Sequence, residues 1–295
     1  MPVARNGGIL RKRVLSLGLV VAAMAGCATT EGGRNGRVPL ASDDRYVSMG
    51  SSFAAGPGVT VSADTPPGRC ARSKDNYAQQ LARRLDLRLV DVACSGATTA
   101  HILGAWDELP PQIDAVTPDT RLVTVTIGGN DVSFVRNLIA FACAAGPQPP
   151  VGAPGGKCPT VNVPSDTDWN ALQSGLNRIA QEVRRRAPRA RLVFVQYVQI
   201  VPVGPVCRAV PIDNAGLTQV RAIQQRLAAI TAATARQWRA DVVDPVEQGT
   251  THDPCAIAPW ATGFPTPQRP PFVPFHPNHE GMTAIADFLV RTLQR

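Results

Sequence analysis

The chain has 295 residues, of which 44% are hydrophobic and 18% are charged, enough apolar sequence for one globular α/β core. Aromatic residues make up only 5%, which argues against a wide stacking surface for bases or sugars. The formal net charge of +8 would suit a nucleic-acid partner, but half of it lies in the first 26 residues.

Residues 1–26 have the pattern of an export signal. A basic Arg-Lys-Arg run at 11–13 precedes an apolar segment, 14–24, that is too short to span a bilayer stably. Small residues then lead to Cys27, as in the lipobox of bacterial lipoproteins, whose cysteine becomes the acylated first residue. We therefore predict a lipoprotein signal peptide, lipidation of Cys27 and a membrane anchor that faces outside. The alternative is an ordinary signal peptide of a secreted protein.

Cleavage before Cys27 changes what the charge implies. It removes four of the 30 basic residues and no acidic ones, which leaves 26 against 22 acidic residues, a net charge of +4. This modest value argues against a nucleic-acid partner. Residues 27–43 are small and polar and predict a flexible tether, and residues 44–295 predict one domain.

The domain alternates strand and helix signals, which predicts a three-layer α/β/α fold around a mainly parallel five-stranded sheet. Apolar stripes at helical spacing predict the helices, and a nearly continuous apolar run at 122–127 predicts a strand buried on both faces. Two Pro- and Gly-rich segments, 144–164 and 254–274, predict irregular loops that either bind ligands or run over the surface. The predicted strands are 45–49, 89–93, 122–127, 192–200 and 241–243, and the predicted helices are 76–85, 169–187, 217–238 and 281–293.

Short polar or glycine-rich motifs follow the first three predicted strands. They are Gly50-Ser51-Ser52, Ser95-Gly96-Ala97 and Gly128-Gly129-Asn130-Asp131, and His276 lies in the loop before the last helix. Because the carboxyl ends of parallel strands meet at one edge of a sheet, these motifs are expected to lie close together.

Together, these residues supply the parts of an acyl-transfer site. A serine hydroxyl such as that of Ser52 needs a base, and neutral His276 suits that role near pH 7. The oxyanion of a tetrahedral intermediate needs preorganised donors, which the N–H groups of Ser52 and Gly96 and the amide of Asn130 would provide. Each residue alone would be read as a helix cap or a turn residue, so the prediction rests on their combination.

Seven cysteines become six when Cys27 is assigned to lipid, and an even number in an exported chain predicts disulfides. Cys143 and Cys158 bracket a loop and form the best local pair. Pairing in sequence order would also join Cys70 to Cys94 and Cys207 to Cys255, although the spacing leaves other connectivities open. No CxxC pair or Cys/His cluster exists, so we expect neither a metal nor another cofactor.

The four motifs resemble conserved blocks of the SGNH/GDSL hydrolases, a family of esterases and lipases with a flavodoxin-like α/β fold. Gly50-Ser51-Ser52 is similar to the first block, usually Gly-Asp-Ser, and Ser95-Gly96-Ala97 is similar to the second. Gly128-Gly129-Asn130-Asp131 matches the third, and His276 matches the histidine of the last block. The six cysteines also resemble the three-disulfide pattern of secreted actinobacterial lipases in this family, which supports pairing in sequence order.

The resemblance implies that Ser52 is the nucleophile, that His276 is the general base, and that Ser52, Gly96 and Asn130 hold the oxyanion. Two positions depart from the family pattern. Ser51 replaces the usual aspartate, which raises the question of which serine attacks. Val273 stands where many members have an aspartate, so we predict that the Val273 backbone carbonyl orients His276 in a Ser-His dyad. The alternative is a triad completed by Asp244 or Asp253.

We therefore expect an extracytoplasmic esterase or lipase that forms an acyl-enzyme. Two alternatives remain open, namely a surface lipoprotein that binds an acyl or glycan ligand without turnover and an acyltransferase acting on glycans. The expected partners are an ester substrate and the membrane, without nucleic acid, and we expect a monomer. The other histidines, His101, His252 and His279, are predicted to be structural. Candidates for an acyl groove, which could equally be core residues, are Phe53, Phe134, Trp260, Phe264 and Phe272.

Overall fold

Five parallel strands form the centre of the fold, in the spatial order β2-β1-β3-β4-β5. The computed structural model describes residues 39–145, 157–264 and 273–295. All five predicted strands are present, which confirms the predicted fold class. The strands are β1 (Arg45–Gly50), β2 (Arg88–Asp91), β3 (Thr120–Thr126), β4 (Arg191–Val195) and β5 (Asp241–Val243).

The central strand is β3, which pairs with β1 on one side and β4 on the other. Its residues are almost all buried, as expected for a strand covered on both faces. Two threonine hydroxyls on this strand are satisfied by buried tyrosines: the Tyr46 hydroxyl lies 2.7 Å from Thr124 Oγ1, and the Tyr77 hydroxyl lies 2.9 Å from Thr126 Oγ1.

Strand β4 is shorter than predicted. The sequence suggests a strand over 192–200, but β4 ends at Val195, where its pairing with both neighbours, β3 and β5, ends. The last link between β4 and β5 is the bond from the Gln196 N–H to the Val243 carbonyl, at 2.9 Å. Residues 196–201 stay buried after the ladder ends, so their apolar character reflects a buried loop rather than a longer strand.

The four long predicted helices are present, and most begin earlier than the apolar stripes suggest. Asn76, Ser165, Asp213 and Asn278 each accept a hydrogen bond from the backbone N–H three residues later, and such caps extend a helix into polar sequence. The helices are α1 (Ser52–Ala55), α2 (Tyr77–Leu85), α3 (Thr99–Leu103), α4 (Phe134–Ala145), α5 (Asp166–Arg186), α6 (Asn214–Gln237), α7 (Val246–Gly249) and α8 (His279–Leu293), with a 3₁₀ turn at Gln112–Ala115.

Helix α4 was not predicted from the sequence, and its last two residues overlap the loop predicted at 144–164. Most of its residues are buried, and a helix that is apolar on nearly all sides lacks the one-sided stripe by which helices are recognised.

The helices form two groups that cover the sheet. Helices α2 and α8 pack against each other, while α3, α5 and α6 form a second packed group that α4 joins through α6. The chain moves from β1 to β2 in one direction and from β3 to β5 in the other. Right-handed crossovers in opposite directions place their helices on opposite faces, which yields the predicted three layers.

Three disulfides join the described cysteines in sequence order, as predicted: Cys70–Cys94, Cys143–Cys158 and Cys207–Cys255. The first one matters for the site, because Cys94 lies two residues before Gly96 and is thereby tied to the loop that precedes α2.

The compact unit starts at Pro39, five residues before the predicted domain boundary. Asp43 belongs to it, since its N–H donates to the Asp86 carbonyl at 2.7 Å. The predicted signal peptide, Cys27 and most of the predicted tether lie outside the described residues. Within the described residues, no helix combines the length and the apolar character needed to cross a membrane.

Candidate active site

The four sequence motifs meet at the carboxyl edge of the sheet. Ser52 begins α1 directly after β1, Gly96 lies in the turn between β2 and α3, and Asn130 lies in the turn after β3. His276 precedes α8 and reaches Ser52, with its Nε2 atom 2.7 Å from the serine Oγ. A serine hydroxyl and a histidine nitrogen at this distance form the nucleophile–base pair of acyl-transfer chemistry.

The turn that carries Ser52 depends on a close approach of two backbones. Gly50 has φ +148°, and a Cβ atom there would lie 2.4 Å from the Thr126 carbonyl oxygen. The Ser51 N–H donates to the same carbonyl at 2.9 Å. Only glycine allows this approach, and it places Ser52 at the first turn of α1, partly exposed to solvent.

Gln112 holds the other side of Gly50 and was missed by sequence reasoning. Its Oε1 atom accepts the Gly50 N–H at 2.8 Å, and its Nε2 atom donates to the Gly50 carbonyl at 3.0 Å. Strand β2 ends at Asp91, and although the Cys94 N–H still reaches the Gly50 carbonyl at 3.0 Å, the buried amide supplies the acceptor that the Gly50 N–H would otherwise lack. The sequence carries no signal for this role, since Gln112 belongs to no motif.

His276 is oriented by the Pro274 carbonyl, so the prediction of the Val273 carbonyl is wrong. His276 Nδ1 lies 2.8 Å from Pro274 O, whereas Val273 O accepts the Thr262 hydroxyl at 2.6 Å. The cause is Phe275, whose φ of +55° turns the chain so that the ring faces the carbonyl two residues before it. Because a carbonyl can only accept, Nδ1 carries the proton and Nε2 is free to accept from Ser52.

The two aspartates considered for a triad are engaged elsewhere. The Asp253 carboxylate accepts the Cys255 N–H at 2.7 Å, and the Asp244 carboxylate accepts the Val246 N–H at 2.9 Å. His276 therefore has a backbone acceptor where a triad would have a carboxylate.

Burial keeps His276 neutral. The residue is only 6% exposed, and loss of hydration lowers its pKa to about 4, although the bond to the Pro274 carbonyl acts in the opposite direction. The Phe53 ring covers it, with the two ring centroids 4.8 Å apart. At neutral pH the imidazole is thus unprotonated and able to accept a proton.

Hydrogen bonds connect the turn after β2 to the turn after β3. Asn130 Nδ2 donates to the Ala97 carbonyl at 2.9 Å, and the Asp131 carboxylate accepts both the N–H (3.1 Å) and the hydroxyl (2.5 Å) of Thr99. Burial raises the pKa of Asp131, while its bonds to Thr99 lower it. These contacts hold Asn130 beside the Gly96 turn.

Donors for an oxyanion are available in this turn region. Gly96 is exposed and has φ +88°, a conformation that favours glycine. Within the described residues, neither its N–H nor that of Ser52 donates a hydrogen bond to a protein acceptor. The Asn130 side chain is exposed and has a second amide hydrogen beyond the one that it gives to Ala97.

The candidates for an acyl groove and the three other histidines were also named from the sequence. Phe53, Phe134 and Phe264 are buried core residues, Trp260 stacks on His252 at 4.2 Å, and Phe272 lies outside the described residues. His101 accepts the Thr98 N–H at 3.1 Å at the start of α3, His252 contacts the Ala258 carbonyl at 2.8 Å, and His279 is the first residue of α8. In the described part of the chain, no group of three or more His, Cys, Asp or Glu side chains is placed to hold a metal ion.

Comparison with known proteins agrees with this geometry. The GDSL-like Lipase/Acylhydrolase family matches residues 48–284, and the chain belongs to that family. It is therefore a carboxylic ester hydrolase of the SGNH/GDSL type.

Similar proteins include three streptomycete enzymes. The chain is 33% identical over 254 residues to Lipase 2 of Streptomyces coelicolor, covering 84% of this chain and 85% of that one. The crystal structure of an extracellular lipase from Streptomyces rimosus is 25% identical, with a TM-score of 0.65 over 84% of this chain and 98% of that one. A phospholipase A1 from Streptomyces albidoflavus shares the fold at 22% identity, with a TM-score of 0.66 over 85% and 99% of the two chains.

The two hydrogen bonds from Gln112 to Gly50 can be tested with Gln112→Leu. This change leaves the buried Gly50 N–H without an acceptor, while the Gly50 carbonyl keeps the Cys94 N–H at 3.0 Å. We expect the free energy of unfolding to fall by roughly 1–3 kcal/mol, measured by urea denaturation. The control is Gln225→Leu on the exposed side of α6, which should change it by less than about 0.5 kcal/mol. If both changes lowered the free energy of unfolding equally, Gln112 would not stabilise the Gly50 turn.

Proposed function

We propose that the protein is an exported serine esterase or lipase that hydrolyses carboxylic esters through an acyl-enzyme on Ser52, with His276 as general base. The observation that carries this proposal is the 2.7 Å contact between Ser52 Oγ and His276 Nε2 beside a set of free hydrogen-bond donors.

In the first half of the reaction, Ser52 Oγ attacks the ester carbonyl carbon and Nε2 of His276 takes the hydroxyl proton. The imidazolium that forms is disfavoured by burial, which is why the pKa in the free enzyme is about 4. The negative oxyanion that develops nearby favours the protonated ring, and the bond from Nδ1–H to the Pro274 carbonyl holds its orientation.

The tetrahedral intermediate places a negative charge on the former carbonyl oxygen. We propose that the N–H groups of Ser52 and Gly96 and the amide of Asn130 donate to it. Because these groups are held in place before the reaction, they need little reorganisation when the charge appears, and one such donor is worth about a hundredfold or more in rate.

Collapse of this intermediate breaks the ester C–O bond, and His276 gives its proton to the leaving alcohol. Water then attacks the acyl-enzyme while Nε2 takes a proton from it. A second intermediate decays when the proton returns to Ser52 Oγ, which releases the acid. No step requires a group other than the substrate, water and the residues named.

We further propose that the chain is exported and anchored to the membrane through Cys27. The three disulfides support an oxidising compartment, and the relative from Streptomyces rimosus is described as extracellular. The anchor itself rests on the sequence before Cys27, which has a basic run, a short apolar segment and small residues.

Labelling with a fluorophosphonate probe tests the nucleophile. We expect one adduct, mapped to Ser52 by peptide mass spectrometry, with His276→Ala slowing its formation by roughly 10²-fold or more. Ser174→Ala, on the exposed side of α5, should label at the wild-type rate. An adduct on Ser51 would reassign the nucleophile, and no adduct on the folded protein would favour ligand binding without turnover.

The pH dependence of kcat/KM tests the base. Since the neutral ring accepts the proton, activity should be constant near neutral pH and fall as the pH drops through about 4, the pKa of His276. Circular dichroism at each pH would confirm that the protein remains folded. An acid limb centred near pH 6.5, the ordinary value for histidine, would show that burial does not control the base.

Cys27→Ser in the full-length chain tests the anchor. Expressed in a bacterial host that processes lipoproteins, the wild-type protein should partition with membranes and require detergent for release. The variant cannot form the thioether to lipid and should leave the membrane fraction, with specific activity unchanged because Cys27 precedes the domain. Detergent-dependent fractionation of the variant would contradict a lipid anchor.

A further inference from the structure

Tyr197 lies at the centre of the candidate site without being exposed to substrate. It follows the end of β4 by two residues and is only 6% exposed. Its side chain contacts the turn after β3, at Gly129, and the turn after β1, at Phe53. Strand β3 lies between β1 and β4 in the sheet. A long aromatic side chain with a polar tip can connect such turns.

Its hydroxyl is bonded to the turn that carries Asn130. The Gly129 N–H donates to Tyr197 Oη at 2.7 Å. A Cβ atom at residue 129 would lie 2.6 Å from the same oxygen, so the glycine is needed for this approach. The bond is buried, and without the hydroxyl the Gly129 N–H would lack its partner.

Its ring is packed against the residue that follows the nucleophile. The centroids of the Tyr197 and Phe53 rings are 4.5 Å apart, and those of Phe53 and His276 are 4.8 Å apart. Phe53 directly follows Ser52 in the chain, so Tyr197 is linked to both the nucleophile and the base through the Phe53 ring.

We propose that Tyr197 is a positioning residue, which sets the distance between Ser52 Oγ and the Asn130 amide because its hydroxyl holds the Gly129 turn while its ring holds Phe53. This inference rests on the proposed function of Ser52 and Asn130 and adds how they are held.

The test compares two changes from tyrosine to phenylalanine. Tyr197→Phe keeps the ring and removes the hydroxyl from the site. Tyr46→Phe is the matched control, because Tyr46 is fully buried and its hydroxyl bonds to Thr124 within the sheet, away from the catalytic turns. Both changes remove one buried hydrogen bond, and both should lower Tm.

The two changes should differ in kinetics, measured well below both Tm values with 4-nitrophenyl butyrate. We expect Tyr197→Phe to lower kcat by roughly 10- to 100-fold, because small misplacements of reacting groups have effects of this size. KM should change less than about twofold, since Tyr197 does not reach the substrate, and fluorophosphonate labelling of Ser52 should slow in parallel. Tyr46→Phe should keep the wild-type kcat.

The outcomes separate this inference from the proposed function. If the wild-type protein labels on Ser52 and turns over ester, but Tyr197→Phe keeps kcat while losing stability, Tyr197 is only a core residue. If the wild-type protein neither labels nor turns over, the proposed function fails, and the positioning role fails with it.

Gly129→Ala gives a second readout that does not depend on Tyr197→Phe being folded. Its Cβ atom would lie 2.6 Å from Tyr197 Oη, so the change displaces the hydroxyl from the turn without removing it. We expect kcat to fall by about 10-fold or more, with KM changed by less than about twofold. A wild-type kcat in Gly129→Ala would overturn the proposal.

Discussion

The candidate site depends on the close approach of β1 and β3 at their carboxyl ends. At Gly50 the two backbones leave no room for a side chain, since a Cβ atom would lie 2.4 Å from the Thr126 carbonyl oxygen. The chain must turn immediately after this point, and the turn begins α1 with Ser52. The parallel pairing of β1 and β3 also brings the turn after β3, with Asn130, to the same edge. Ser52 and Asn130 are therefore neighbours because their strands are neighbours.

The side chains that bind Gly50 and Gly129 are uncharged. Gln112 binds both backbone groups of Gly50 with an amide, and Tyr197 binds the Gly129 N–H with a hydroxyl. His276 is oriented by a backbone carbonyl rather than a carboxylate. Neutral groups can orient a side chain without the desolvation cost that a buried carboxylate would carry. In the proposed mechanism two opposite charges form together, the oxyanion and the His276 imidazolium, and preorganised donors would stabilise the first of them.

Burial of His276 has opposite effects on two properties that its proposed role as a base requires, namely its basicity and its unprotonated state. Loss of hydration makes the free ring a weaker base, with a pKa of about 4, but it also keeps the ring unprotonated at every pH near neutrality. A histidine with an ordinary pKa near 6.5 would be partly protonated in mildly acidic surroundings and unable to accept from Ser52. The Phe53 ring, which covers His276, thus helps to keep the imidazole unprotonated over a wide pH range.

The sequence by itself determined the parts that depend on local pattern. Apolar patterns were enough to predict the five strands and four of the helices, although α4 was missed. The motifs around Ser52, Gly96, Asn130 and His276 could be placed because strand ends share one edge. Only the tertiary structure decided three further features, because they depend on contacts between distant residues or on one backbone angle. Gln112 and Tyr197 reach the site across 62 and 68 positions of sequence, and neither belongs to a motif. The carbonyl that orients His276 is that of Pro274 rather than Val273 because Phe275 adopts a positive φ, a choice that its residue type does not favour and that the folded surroundings impose.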